Sequence, residues 1–100
     1  MTRLAAVHGV LPPYRYQQNE LTDLVAQMCL PAGANRAVLD RLHGNVKVQT
    51  RHLAMPLDKY AQLNGFGSTN DVFIEAGLDL AERAVSGALT AAGLTAADVD

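Results

Sequence analysis

Cysteine, tryptophan and charge are all scarce in this chain. It has one cysteine, no tryptophan, three tyrosines, two phenylalanines and 18 % charged residues. The lone Cys29 excludes an intrachain disulfide and any cysteine-cluster metal site, and it points to a reducing cytoplasm. No run of 18 apolar residues occurs, so neither a transmembrane helix nor a membrane partner is expected. The first residues lack the basic section, apolar section and small-residue site of a signal peptide. Eight basic and 10 acidic residues give a net charge of -2. Broad nucleic-acid binding needs many phosphate neutralisations, and the aromatics are too few for stacking platforms, so no nucleic-acid partner is expected. His8, His43 and His52 have no pairwise spacing of three to five residues and no HExxH occurs, so no metal site is expected either.

What the chain does have is apolar residues, 49 % of its 100 positions, in a mass of 10.7 kDa. That size suits one small domain or a piece of a larger one. Surface scaling gives roughly 5,500 Å² folded against roughly 15,500 Å² extended, enough for a thin core. An Ala/Leu-rich helical domain satisfies this composition. So does a segment that packs its excess apolar surface against other protein.

Along the chain, Arg3–Val10 is a short apolar run stopped by Leu11-Pro12-Pro13, which predicts a buried strand. Tyr14–Gln18 is expected as loop. Leu21, Leu24, Val25, Met28 and Cys29 make one apolar stripe, which predicts a helix over about 19–29, with Asn19 as cap and Pro31 and Gly33 as terminators. Asn35 is expected to cap a second helix over about 36–43, burying Val38, Leu39 and Leu42 and closed by Gly44 and Asn45. Val46–Leu53 alternates only in part, a weak signal for extended structure. Met55 to Thr69 is expected as a long connection whose Gly65-Phe66-Gly67 docks an aromatic. A long helix over about 70–92 follows, with apolar spacing through Val72, Phe73, Ala76, Leu80, Ala84, Ala88, Leu89 and Ala92, a Ser68/Asp71 capping box and a stop at Gly93. Its length, roughly 34 Å, exceeds most small domains. Thr95 and Asp98 repeat the capping-box spacing.

Single residues offer little chemistry. Cys29 lies on the apolar stripe late in its helix, where a core thiol is expected rather than a nucleophile. His8 in the apolar run suits a satisfied buried group, and His52 beside Arg51 suits a contact surface. Asp71, Glu75 and Asp79 share one helix face toward water. Arg36, Arg41, Lys47, Arg51 and Lys59 are the one concentration of positive charge. They fit either a phosphate-bearing ligand, whose oxygens match fixed guanidinium donors, or plain solvated surface. No nucleophile, base and orienting group come together in the sequence.

The order of several pieces resembles the type III polyketide synthases, the chalcone-synthase-like family, over essentially the whole chain. These pieces are Ala6-Val7-His8-Gly9 followed by Pro12, Pro13 and Gln17; a helix ending Gln27-Met28-Cys29; Leu39-Asp40-Arg41-Leu42; Thr50-Arg51-His52-Leu53, similar to the family's Arg/Lys-Arg-Tyr/His-hydrophobe segment; and the Ala-rich helix before Gly93-Leu94. Within the family the nearest look is an actinobacterial alkylpyrone synthase of the germicidin-synthase type.

The resemblance implies an α/β, thiolase-like fold of αβαβα layers. Residues 1–100 would be the N-terminal part of its first half, incomplete at Asp100. It implies a homodimeric, cytoplasmic acyltransferase. Such an enzyme takes an acyl-CoA or acyl-carrier-protein starter onto a cysteine and extends it with malonyl-CoA-type units by decarboxylative Claisen condensation, giving an alkyl-α-pyrone. No tightly bound cofactor is implied; coenzyme A thioesters are substrates. The family's catalytic Cys, His and Asn are expected beyond residue 100, and Cys29 does not match the nucleophile. Basic residues on the second helix are expected to meet the CoA phosphates. Arg41 matches one of them, but their companions fall on Val38 and Asn45, so Arg36 and Lys47 are the compensating candidates. Two rivals stay open: a 3-oxoacyl-carrier-protein synthase III-like ketosynthase, and a small non-enzymatic helical interaction module complete at 100 residues. The residues without the resemblance favour that module.

Overall fold

The computed structural model describes all 100 residues, Met1–Asp100. They form two units, Pro12–Gly65 and the pairing of Met1–Leu11 with Phe66–Asp100. The chain is α/β, with three α-helices and one two-stranded antiparallel sheet.

In the Pro12–Gly65 unit, β1 (Tyr14–Gln17) pairs with β2 (Thr50–Leu53), Tyr14 opposite Leu53 and Gln17 opposite Thr50. The segment expected as loop is thus a strand. Its aromatic residues suit a pleated, half-covered surface, and β2 supplies the ladder partners. Helix α1 (Gln18–Cys29) follows without a break. Its cap is Gln17, two residues before the expected Asn19: the Glu20 carboxylate accepts from the Gln17 amide at 2.8 Å, the reach-back half of a capping box.

Helix α2 spans Ala37–Asn45, and Asn35 does cap its start, accepting from the Ala37 amide at 2.9 Å. The left-handed residue after it is neither Gly44 nor Asn45 but Lys47, at φ 54°. The expected long connection is shorter than its composition suggested. A 3-10 helix occupies Leu57–Gln62, and its first amide, at Leu57, donates to the Tyr16 hydroxyl at 2.9 Å.

In the other unit, Met1–Leu11 has no regular structure, so the buried strand expected over Arg3–Val10 is not formed. A strand needs a neighbour for its amides and carbonyls, and no strand pairs with this segment. His8, expected as a buried group, is exposed. It lies over Gly87, where its ring fills the space a Cβ would need.

Helix α3 runs Gly65–Ala92, about 42 Å at 1.5 Å per residue, and starts five residues before the expected Asn70. Ser68 and Asp71 therefore lie inside the helix, and Phe66, expected to dock a loop, stands 85 % exposed on its first turn. The end is as expected. Gly93 takes φ 68° and the Leu94 amide donates to the Leu89 carbonyl at 2.9 Å, closing a left-handed cap. Thr95 then caps the 3-10 turn Ala96–Asp98 through the Asp98 carboxylate.

No apolar side chain is fully buried; Thr22, at 5 % exposure, is the only buried residue. The accessible surface is 7763 Å², against about 5,500 Å² for a compact monomer of this mass. Expected core residues are accordingly uncovered. Cys29 is exposed, Met28 is 49 % exposed, and Val38 and Leu42 stand out on α2, while Leu39 is half-buried. Periodicity marks apolar stripes, but burial also needs a surface to meet them. Helix α3 shows this most fully. Of its expected stripe, Val72, Ala76, Leu80, Ala84, Ala88, Leu89 and Ala92 are half-buried but Phe73 is exposed, as are Phe66, Ile74, Leu78 and Val85 outside the stripe.

Candidate functional site

The polar chemistry of the Pro12–Gly65 unit converges on one open hollow of about 600 Å³, lined by Gln18, Thr22, Arg36, Asp40, His43 and Lys47, with Asn19, Gly44, Val48 and Gln49 completing the wall. Two helices build it because each carries polar residues at helical spacing. Gln18 and Thr22 are four apart at the start of α1. Arg36, Asp40 and His43 are four and three apart on and just before α2. The sheet continues into the hollow, since the Gln18 amide donates to the Gln49 carbonyl at 2.8 Å.

At its base, Thr22 Oγ1 lies 2.9 Å from the Gln18 carbonyl and 2.7 Å from His43 Nδ1. The Gln18 Nε2 amide lies 3.2 Å from the same Nδ1, and Gln18 Oε1 accepts from Arg51 Nε at 2.7 Å. The Thr22–His43 spacing is that of a nucleophile and its base. Thr22 is nevertheless buried, its hydroxyl is shared with a helix carbonyl, and no third group orients the ring for proton removal. The pair holds helices together rather than doing acyl chemistry.

Arg36 is held by two carboxylates, Asp23 at 2.5 Å and Asp40 at 2.9 Å. Those hydrogen bonds, Asp23 first, hold its guanidinium above the ordinary arginine range. All three side chains are solvent-exposed, so this triad ties α1 to α2 only modestly. Lys47 adds a cation to the hollow outside these pairs.

Of the candidate phosphate ligands, then, Arg36 and Lys47 share the hollow, and Arg41 does not line it. Arg41 is exposed on another side of α2, on a face it shares with Val38 and Asn45 at spacings of three and four. Lys59 is exposed on the 3-10 helix. The residues that sequence reasoning passed over are Gln18, Thr22 and His43. The signal for them was present: two polar faces on consecutive helices, one carrying a histidine. No group of three or more His, Cys, Asp or Glu side chains is placed to hold a metal ion, and no helix is long and apolar enough to cross a membrane.

No family model matches the chain. It is similar to a 1,3,6,8-tetrahydroxynaphthalene synthase of Streptomyces peucetius subsp. caesius, with 58 % identity over 99 residues. That match takes in 99 % of this chain and 26 % of the relative, so the chain spans about a quarter of the length of the curated relative it matches.

Proposed function

Starting from a chain homologous to a type III polyketide synthase, we propose that it is part of such an enzyme and contributes to coenzyme A thioester recognition. The observation that carries this is the 58 % identity along 99 residues, well beyond what a shared helix pattern would give. In this reading residues 1–100 are the N-terminal part of the first half of a thiolase-like αβαβα fold, in a homodimeric, cytoplasmic enzyme. The exposed apolar face of α3 supports it, because such a face is costly in water.

The reaction proposed for the whole enzyme is acyl transfer followed by decarboxylative condensation. An acyl thioester forms on a cysteine. A malonyl-type thioester then loses CO₂, and the enolate carbon attacks the acyl carbonyl. A C–C bond forms, the C–S bond breaks and the thiolate leaves. The enolate oxygen needs preorganised donors and the nucleophile a low-pKa thiol. No residue of this chain is assigned to either task. Its own share is the cationic approach: Arg41 toward CoA phosphates from its own face of α2, with Arg36 and Lys47 contributing separately from the hollow.

Two product classes follow. The relative is named for 1,3,6,8-tetrahydroxynaphthalene, whose alternating oxygens suit a chain built two carbons at a time. The family resemblance read from the sequence favours a fatty acyl starter and an alkyl-α-pyrone. The uncharged Val38 and Asn45 beside Arg41 favour a carrier-protein-borne starter. The test is to supply the full-length enzyme with malonyl-CoA, alone and with acyl-CoA or acyl-carrier starters, and to identify products by mass spectrometry. A naphthalene from malonyl-CoA alone supports the first class, and a pyrone retaining the starter chain supports the second. Release of neither CO₂ nor a polyketide would overturn the enzyme assignment. Condensation only with a malonyl-carrier thioester would favour the ketosynthase III-like rival.

A further inference from the structure

We propose that Gln18, His43 and Arg51 form a proton-sensitive joint between α2 and β2, closed while His43 carries its single ring proton on Nε2 and opened when Nδ1 is protonated. Arg51 Nε donates to Gln18 Oε1 at 2.7 Å, and a guanidinium has no acceptor to offer. The amide oxygen of Gln18 is therefore fixed toward β2, and its nitrogen is the atom 3.2 Å from His43 Nδ1. An amide nitrogen only donates, so Nδ1 presents a lone pair and the proton of the neutral ring sits on Nε2.

Thr22 does not decide the matter. Its hydroxyl can donate to Nδ1, or donate to the Gln18 carbonyl while accepting from Nδ1, at 2.7 and 2.9 Å. When Nδ1 gains a proton, Thr22 adapts and Gln18 cannot. Two N–H groups would face each other across 3.2 Å, and turning the amide over would aim its nitrogen at Arg51. Protonation therefore breaks either the Gln18–His43 bond or the Gln18–Arg51 bond.

The charged groups around the ring do not relieve this. Of the charged groups lining the hollow, Asp40 is engaged by Arg36 and the other is the cation Lys47; Arg51 adds a further cation through Gln18. The segment between the two elements is Val46–Gln49, which carries Lys47 from the end of α2 to β2.

The test is ¹⁵N spectroscopy of the full-length protein labelled in histidine and glutamine side chains, a readout independent of catalytic activity. While His43 carries a single ring proton, its Nδ1 should resonate as an unprotonated, pyridine-like nitrogen and Nε2 as a protonated one. On acidification the Gln18 side-chain amide should shift with the same midpoint as His43. The near-isosteric Gln18→Glu variant should reverse the tautomer, because one carboxylate oxygen still serves Arg51 while the other accepts from Nδ1–H. An Nδ1–H tautomer in the unmodified protein, or a Gln18 amide that ignores the titration of His43, overturns the proposal.

Discussion

The imidazole of His8 lies on the backbone of α3 at Gly87, in the space a Cβ would occupy. Alanine at a helix interior is favoured over glycine by about 0.8–1.0 kcal/mol. At Gly77, where a Cβ meets nothing within 4 Å, Gly77→Ala should realise most of that gain. Gly87→Ala must first displace His8, so it should gain less and release the Met1–Leu11 segment. Thermal unfolding of the two variants, with the His8 ring resonances as reporter, checks this; equal gains and an unmoved ring would contradict it.

Tyr16 joins the small sheet to the 3-10 helix through one hydroxyl. Tyr16→Phe leaves the half-buried Leu57 amide without its acceptor and should cost about 0.5–1.5 kcal/mol. Tyr14→Phe, at an exposed position of the same strand, should be close to neutral. Denaturant midpoints, together with hydrogen exchange at Leu57, separate the two.

The turn after α3 should respond to acid in one direction. Hydrogen bonds from the Thr95 amide and hydroxyl hold the Asp98 carboxyl below the ordinary aspartate range. A lowered folded-state value means the contribution is fully present above the unfolded value, about 3.9, and is lost as pH falls through the lower folded one. The Thr95 amide should therefore keep its chemical shift from neutrality down to about pH 4 and change only below it. Asp98→Ala should abolish that change.

On the proposed reading, Arg41 carries the phosphate contact alone on its face. Arg41→Ala in the full-length enzyme should raise KM for CoA thioesters by about two- to fivefold, the scale of one exposed charge pair, with kcat little altered. Val38→Lys and Asn45→Lys place cations three before and four after it and should lower KM by a similar factor. An unchanged KM in all three variants would remove CoA recognition from this face of α2.

Local rules were legible where the signal was local. The stop at Gly93, the Thr95/Asp98 box and the Asn35 cap each need only a few neighbouring residues, and all are present. The expectations that failed depend on partners far along the chain or outside it. Arg3–Val10 has a strand's composition but no strand beside it, and Tyr14–Gln17 becomes one because Thr50–Leu53 lies opposite. Cys29 belongs to an apolar stripe whose far end nothing covers. The hollow was half legible. Arg36, Asp40 and His43 visibly share a side of α2, but Gln18 reads as the end of a polar, aromatic loop, which hides the four-residue spacing to Thr22.

The charged residues of α3 are confined to one strip, Asp71, Glu75, Asp79 and Glu82, with Arg83 paired to Asp79 at 3.0 Å. A helix dressed so unevenly tells an experimenter where to attach things. A fluorophore or affinity handle introduced at Glu75 or Glu82 should leave behaviour intact, whereas the same group at Phe66 or Phe73 would occupy a side whose side chains are built to avoid water.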